Sequence, residues 1–215
     1  MIRGLLLPAA VGVLLLALAG PAAALPPPGT YTYTVQHPQH GDIGTYTNTI
    51  RQNGDTVTVD TKVRIQVKVA FIPVFKLDAD RQEQWRDGRL VAYSSVTHKN
   101  GDEIRVSGHA EGDKFVIQGP NGTVAAPADV VPTNPWSLDI TRADVVMTSE
   151  SGRVVDAHLA ARKDETLTVG DQQIPTRHFQ VVADTSHDLW FDPQGRVVRF
   201  ATRDEDQTIS FILRR

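Results

Sequence analysis

The sequence predicts a mainly β fold: a single strongly curved antiparallel sheet, half-barrel or barrel-like, of about 11–13 strands, with one short helix packed across it. Apolar and polar residues alternate from Thr56 to Phe71, which is the period of a strand with one buried face. Turn-forming Asn-Gly and Asp-Gly pairs recur between the β-rich segments, as in antiparallel hairpins. The alternating run is longer than an ordinary strand, so we expect the sheet to bend.

The N-terminal residues predict an export signal. Residues 1–24 combine a positive charge at Arg3, an apolar run and a final Ala22-Ala23-Ala24. The run is too short for a membrane span, which needs about 20 apolar residues, and its small final residues are typical of a cleavage site. We therefore expect cleavage after Ala24, a periplasmic or secreted mature protein, and no transmembrane segment after cleavage.

The composition excludes several classes of function. Because the chain has no cysteine, a disulfide, a cysteine nucleophile and a lipid anchor on cysteine are excluded. The formal net charge is -3, and acidic and basic residues are interspersed along the chain. Nucleic-acid binding needs clustered Lys and Arg, so we expect no nucleic-acid partner.

The remaining residues predict a leader and one domain. Residues 25–30 are a Pro-rich leader, and residues 31–215 predict a single antiparallel β domain, a size that suits one core. A similar strand-turn-strand pattern occurs in each half of the chain. Two related β units, residues 31–126 and 150–213, are therefore an alternative description of the same domain.

One segment, residues 134–147, interrupts the β pattern. Asn134 followed by Pro135 is the order typical of a helix cap and a first helical position. Trp136 and Ile140 then share one helical face. The segment predicts the short helix, which links the two halves and packs across the sheet.

Catalytic and metal-binding patterns are absent from the sequence. Only His37 and His40 lie close together among seven histidines, and two imidazoles are too few for a closed zinc site. Ser186-His187-Asp188 holds the residue types of a hydrolase triad, but adjacent strand residues point to opposite faces. We predict no catalytic residue, no metal, no cofactor and no enzymatic activity.

The acidic residues are interpreted as solvated groups. Carboxylates such as Glu83, Glu205 and Asp206 are numerous, yet the sequence places no two of them across a cleft. Acidic side chains are rarely buried. We therefore assign them to solvated strand faces and loops.

The segment Phe71–Phe75 is apolar on both faces where strict alternation ends. Pro73 removes a ladder donor, so the chain turns there or lies at a sheet edge. Two interpretations stay open: the segment is covered by the helix and neighbouring strands, or it forms the rim of an apolar mouth together with the helix. The second interpretation makes Phe71, Phe75, Asn134 and Trp136 the candidate ligand-binding residues.

Four short motifs together resemble an uncharacterised family of exported bacterial β-rich proteins, a domain of unknown function. That family is similar to lipoprotein-carrier half-barrels, in which a curved sheet holds apolar ligands under a helical lid. The resemblance covers nearly all of the mature chain and implies a fold and a carrier role, but no catalytic residue. The motifs are Trp85-x-Asp87-Gly88-Arg89-Leu90, Thr97-x-x-Asn100-Gly101, Asn134-Pro135-Trp136 and Leu189-Trp190-Phe191-Asp192-x-x-Gly195-Arg196.

Three functions are compatible with these observations. The leading hypothesis is a periplasmic, non-enzymatic binding or carrier protein for a hydrophobic small molecule or an acyl chain, held by burial. The second is an envelope interaction or accessory module that docks a protein partner by a strand edge or by the Phe71–Phe75 patch. The third is an unrecognised hydrolase.

Overall fold

The computed structural model describes residues 25–204 and 207–214. The predicted export signal, residues 1–24, and the acidic residues Glu205 and Asp206 lie outside the described residues. In the described part of the chain, no helix has the length and apolar character needed to cross a membrane.

Most of the described chain is β structure, in a large sheet and a small one. The large sheet has 13 strands: β1 (Gly29–His37), β2 (Gly41–Asn53), β3 (Thr56–Val69), β4 (Ile72–Arg86), β5 (Arg89–Lys99), β6 (Asp102–Glu111), β7 (Lys114–Gly119), β8 (Gly122–Pro127), β12 (His158–Val169), β13 (Gln172–Val182), β14 (Ser186–Phe191), β15 (Val197–Asp204) and β16 (Gln207–Leu213). The small sheet contains β9 (Val131–Pro132), β10 (Val145–Met147) and β11 (Val154–Asp156).

The large sheet consists of two antiparallel meanders. Strands β1 to β8 follow one another in the sheet, strands β12 to β16 do the same, and β1 pairs with β16 at the junction. Among the described strands, β8 and β12 are the two edges of this order, so hydrogen bonds do not close it into a barrel. The predicted mainly β class and large antiparallel sheet are confirmed.

The two longest strands form because their residues alternate. In β3, Val57, Val59 and Val63 are buried, while charged residues between them face outward. Strand β4 pairs with β3 in antiparallel register, with Val63 opposite Ala79. We call the face that carries these valines the inner face.

An aromatic cluster on the inner face joins the two meanders. Phe200 of β15 contacts Tyr33 of β1 edge-to-face, with ring centroids 5.3 Å apart, and stacks on Phe211 of β16 at 4.1 Å. The Tyr33 hydroxyl also donates to the backbone carbonyl of Val197 at 3.0 Å. These contacts bury the junction of β1 and β16 in the core.

The predicted helix over residues 134–147 is wrong. A five-residue 3-10 helix, Leu138–Arg142, is present there, and residues 145–147 form β10. Ser137 caps the 3-10 helix, since its Oγ accepts from the backbone N–H of Asp139 at 3.3 Å. The β-branched pair Val145-Val146 favours a strand, and the Asn134 side chain is bound elsewhere, as described below.

Candidate functional site

Two adjoining clefts, with volumes of about 420 and 560 Å³, lie on the inner face. We call them together the inner cleft, and we call the smaller part the inner half and the larger part the outer half. Both volumes are within the range of small-molecule sites, roughly 300 to 1,000 Å³. The two halves share the lining residues Ile65, Leu77, Glu150, Thr202 and Phe211.

The outer half of the inner cleft has largely apolar walls, whereas the inner half has both apolar and polar lining residues. The outer half is lined by Val67 and Phe75 of the β3–β4 pair and by Ile209 of β16. Alternation along β3 and β4 places these side chains on the inner face, since Val67 pairs with Phe75 and Ile65 with Leu77. The cleft therefore presents apolar surface from both meanders.

A buried polar network lies further along β4, beyond the inner half of the cleft. Glu83 is 1% exposed. Its Oε2 accepts from the indole N–H groups of Trp85 at 2.9 Å and Trp136 at 2.8 Å, and its Oε1 accepts from Asn134 Nδ2 at 2.7 Å. We call these residues, with the three that bind Asn134, the Glu83 network.

Asn134 is the centre of this network. Its Oδ1 accepts from the Tyr46 hydroxyl at 2.7 Å and from Asn48 Nδ2 at 3.0 Å, and its Nδ2 also donates to Thr61 Oγ1 at 3.0 Å. Every polar atom of the Asn134 side chain is therefore satisfied, as buried amides require. The network fixes the 134–136 segment to β2, β3 and β4.

Opposing effects act on the ionisation of Glu83. Burial raises its pKa to about 7, while the hydrogen bonds from Asn134, Trp85 and Trp136 and the charge of Arg81 act against that rise. Its oxygens are occupied by donors on the interior side of the fold. Glu83 therefore has a structural role, and its carboxylate does not line the cleft.

Two cations and one carboxylate line the cleft at its middle. Arg81 lines the inner half, Lys99 lines the outer half, and Glu150 lines both. Arg81 Nη2 is 3.8 Å from Glu150 Oε1, and Lys99 Nζ is 4.0 Å from Glu150 Oε2. Both separations exceed the 2.7–2.9 Å that is typical of a charge-assisted hydrogen bond.

The β3–β4 hairpin ends in an exposed apolar tip beyond the outer half of the cleft. Phe71 is 96% exposed, and Val69, Ile72 and Val74 are also exposed. Ala70 and Phe71 form the two-residue turn with φ values of 48° and 70°. We call Val69, Ala70, Phe71, Ile72 and Val74 the hairpin tip.

Positive φ is costly for residues with a large side chain. The next hairpins of this sheet use Asp87-Gly88 and Asn100-Gly101 at the same turn positions, which are residues that accept positive φ. The hairpin tip instead has alanine and phenylalanine there. It therefore carries backbone strain and exposed apolar area together.

The structure separates the four predicted ligand-binding residues. Phe75 lines the outer half of the cleft, and Phe71 projects from the hairpin tip. Asn134 and Trp136 are buried in the Glu83 network. Phe75 and Glu83 are eight residues apart on β4, which is about 26 Å along a strand. The two pairs therefore lie at opposite ends of the inner face.

Four charged residues were not identified as site residues from the sequence: Arg81, Glu83, Lys99 and Glu150. For Glu83 the interpretation was wrong, since it is buried and not solvated. A signal was present for two of the four. Arg81 and Glu83 occupy the same alternation positions of β4 as Leu77, Ala79 and Trp85, so both charges point inward. Glu150 lies in a loop, where periodicity gives no orientation.

The histidines lie in separate places. The rings of His37 and His40 are 4.6 Å apart at the outer half of the cleft. His187 lines the inner half and contacts Thr185 and Thr202, whereas Asp188 binds His178 at 2.7 Å. Within residues 25–204 and 207–214, no group of three or more His, Asp or Glu is placed to hold a metal ion.

A second polar cluster lies on the opposite face of β13 to β15. The His178 ring stacks on Trp190 at 4.3 Å, and the Arg199 guanidinium lies over the same indole at 4.8 Å. Glu165 accepts from the Trp190 indole N–H, and Asp188 binds His178. These groups bind one another, so we interpret the cluster as structural.

This chain is similar to one protein family and to solved structures. A family model described as a domain of unknown function, DUF6134, matches residues 33–214, and the predicted resemblance to an uncharacterised β-rich family is confirmed. No curated protein matches the sequence significantly. A solved β-barrel-like protein of the domain of unknown function DUF1849 from Brucella abortus is similar at 13% identity, with a TM-score of 0.60 over 89% of this chain and 97% of that chain. A DUF1089 family protein from Pseudomonas aeruginosa matches at 14% identity, with a TM-score of 0.37 over 86% of this chain and 95% of that chain.

Proposed function

This chain belongs to the DUF6134 family, whose description assigns no function, and we propose that it is a non-enzymatic binding or carrier protein for a hydrophobic small molecule or an acyl chain. The observation that supports the proposal most directly is the inner cleft, with its largely apolar outer half and its volumes of about 420 and 560 Å³. Apolar clefts with a few polar groups are the usual form of a small-molecule site.

The proposal includes a sheet that curves around the ligand as a half-barrel. Leu77 of β4 and Thr202 of β15 line the same cleft, although five strand-to-strand steps separate them in the sheet order. In a flat sheet those steps would span about 24 Å, at roughly 4.8 Å each. Contact of both strands with one cleft supports curvature.

Binding in this proposal is burial of apolar surface without bond making. A ligand that buries about 300 Å² of apolar surface gains on the order of 7 kcal/mol, from which the cost of association is subtracted. The Glu83 network closes the protein beyond the inner half of the cleft, and the outer half reaches the hairpin tip. We expect the ligand to enter on that side.

Fluorescence titration of the purified protein with N-phenyl-1-naphthylamine, an uncharged apolar probe, tests the proposal. We expect micromolar binding, and we expect Ile65→Gln to weaken it about tenfold because Ile65 lines both halves of the cleft. Val124→Gln is the matched control, since Val124 is an exposed apolar residue on edge strand β8. Equal affinity of the two variants, or no binding by the unaltered protein, would contradict the proposal.

We further propose that the protein acts in the periplasm or outside the cell, after removal of residues 1–24. The tripartite N-terminal sequence supports this location. N-terminal sequencing of the protein recovered from its own cell envelope should begin at Leu25. Recovery of the chain with Met1 from the cytoplasm would contradict the proposed location.

A second candidate function, docking of an envelope protein partner, is favoured by the hairpin tip. Its Phe71 is 96% exposed and is held at positive φ, and exposed apolar patches combined with local strain are typical of interaction sites. Crosslinked capture of a partner should be lost in Phe71→Asp. It should be retained in Leu159→Asp, the matched control, because Leu159 is an exposed apolar residue on edge strand β12. Loss in both variants, or in neither, would argue against this function.

A further inference from the structure

We propose that the ligand of the inner cleft is a single-chain amphiphile with a carboxylate head, bound by Arg81 and Lys99, with its tail toward the hairpin tip. This inference rests on the proposed binding function and names the chemical class of its ligand. The observation that supports it is that Arg81 is a buried cation without a close counterion.

Arg81 faces into the inner half of the cleft and its side chain is 7% exposed. Its Nε has no hydrogen-bond partner among the described residues. The ion pair that it forms in the described part of the chain, with Glu150, has an N–O separation of 3.8 Å. A buried charge is stable only when it is closely paired and hydrogen-bonded, so Arg81 is left able to bind an anion.

The neighbouring carboxylates do not fill this role. Both oxygens of Glu83 accept hydrogen bonds from Trp85, Trp136 and Asn134. Its charge is therefore engaged on the side away from the cleft. Asp184 is paired with Arg153, the other arginine that lines the inner half of the cleft.

The Glu150 carboxylate is the protein's own anion beside Arg81 and Lys99, and it contacts neither of them closely. Its side chain is 41% exposed, and it stands 3.8 Å from Arg81 and 4.0 Å from Lys99. Its loop is tied down on either side: the Ser149 carbonyl accepts from the Tyr93 hydroxyl at 2.7 Å, and Gly152 packs on the side chains of Val106 and Ile117. The loop is therefore fixed, while the Glu150 side chain is free to yield its position to another carboxylate.

The geometry points to a carboxylate head and one tail. An arginine fork binds a carboxylate through two parallel hydrogen bonds, and Lys99 supplies a second cation from the outer half. The apolar wall that extends from these cations contains Val67, Phe75 and Ile209. A ligand with its head at Arg81 and its chain along this wall fills both halves of the cleft.

Isothermal titration of the purified protein with sodium oleate and with oleyl alcohol tests the inference, because the two differ only in the head group. We expect the unaltered protein to bind oleate at least about tenfold more tightly than the alcohol. Arg81→Met should abolish that preference, so that oleate and the alcohol bind with similar affinity. Arg81→Lys, which retains the charge but loses the fork, should keep part of the preference.

Glu150→Gln provides a second measurement that does not alter Arg81. Removing this carboxylate should strengthen oleate binding several-fold, because Glu150 no longer competes for Arg81 and Lys99, and should widen the preference for oleate over the alcohol. This variant keeps the shape of an exposed side chain, so its folding is not at risk. Unchanged oleate affinity in Glu150→Gln would overturn the proposed competition and with it the inference.

The remaining outcomes separate this inference from the proposed function. Equal binding of oleate and oleyl alcohol would overturn the carboxylate head and leave an apolar binding function standing. Tighter binding of oleoyl lysophosphatidate than of oleate, lost in Arg81→Met, would replace the carboxylate by a phosphate head. Binding of none of the three ligands would overturn both proposals.

Discussion

The two ends of the β3–β4 pair differ in burial: one end buries polar groups, and the other exposes apolar ones. At one end, the Glu83 network buries a carboxylate and an amide and pairs them with indole, amide and hydroxyl groups. At the other end, the hairpin tip exposes Phe71 and Ile72 to solvent. The inner cleft lies between them on the same two strands.

The Glu83 end stabilises the fold, whereas the hairpin tip leaves apolar side chains accessible to solvent. Removal of one partner from a satisfied buried network is costly, so the Glu83 end is the more rigid one. The hairpin tip lowers the stability of the fold, because Ala70 and Phe71 occupy positive φ. This strain, together with the exposed apolar side chains, is the reason why we proposed the hairpin tip as a docking segment.

Glu83→Ala should cause the largest loss of stability at either end of the β3–β4 pair. This change leaves the indole N–H groups of Trp85 and Trp136 and the Asn134 amide without their acceptor in a buried site. We expect the free energy of unfolding to fall by about 3–5 kcal/mol, measured by urea denaturation.

A matched variant in the same experiment is Glu83→Gln, which keeps the shape and one carbonyl acceptor and should lose roughly half as much. Hydrogen exchange should show faster exchange of residues 134–136 in Glu83→Ala, with the hairpin tip unchanged. A loss below about 1 kcal/mol would mean that water replaces Glu83, and the two ends would not differ as described.

The second prediction concerns pH. Burial raises the pKa of Glu83 to about 7, above the roughly 4.3 of an unfolded glutamate. The protonated form is therefore favoured by the fold, and this contribution to stability is full below about pH 4 and is lost as the pH rises through 7. We expect about 3 kcal/mol of loss from this group between pH 5 and 9.

His187 acts in the opposite sense, since burial lowers its pKa, and its contribution to stability is present above the roughly 6.5 of an unfolded histidine and lost below it. Comparing unaltered protein with Glu83→Gln isolates the glutamate, because both contain His187. The difference in unfolding free energy between them should shrink with rising pH. A pH-independent difference would mean that Glu83 keeps one ionisation state throughout this range.

Much of the fold could be predicted from alternation and turn residues. The run from Thr56 to Val69 is a strand, and Asp87-Gly88 and Asn100-Gly101 are the turns that their residues favour. Local preferences and the final structure agree in these places. The helix over 134–147 failed because Asn134 and Pro135 carry a cap signal, while tertiary contacts of Asn134 decide the outcome.

The candidate site could be predicted only in part. Phe75 follows from the apolar segment, and it does line the cleft. Trp136 and Asn134 were predicted as ligand-binding residues of a helical segment, but neither lies in a helix and both side chains bind Glu83. Arg81 and Glu150 come together from β4 and a loop 69 residues later, and a single sequence contains no signal for such a long-range pair.

The smallest change in stability is expected from a variant that relieves the strain at the hairpin tip. Phe71→Gly removes the penalty of positive φ at this position, and glycine adopts that conformation freely. Phe71 is 96% exposed, so little packing is lost, and we expect a gain of about 1 kcal/mol in the free energy of unfolding, or a few degrees in Tm. Phe75→Gly is the matched control: it lies four residues away in a strand and lines the cleft, so it should destabilise the protein. A lower Tm for Phe71→Gly would show that Phe71 packs on the fold in solution, and the hairpin tip would then belong to the stable part of the molecule.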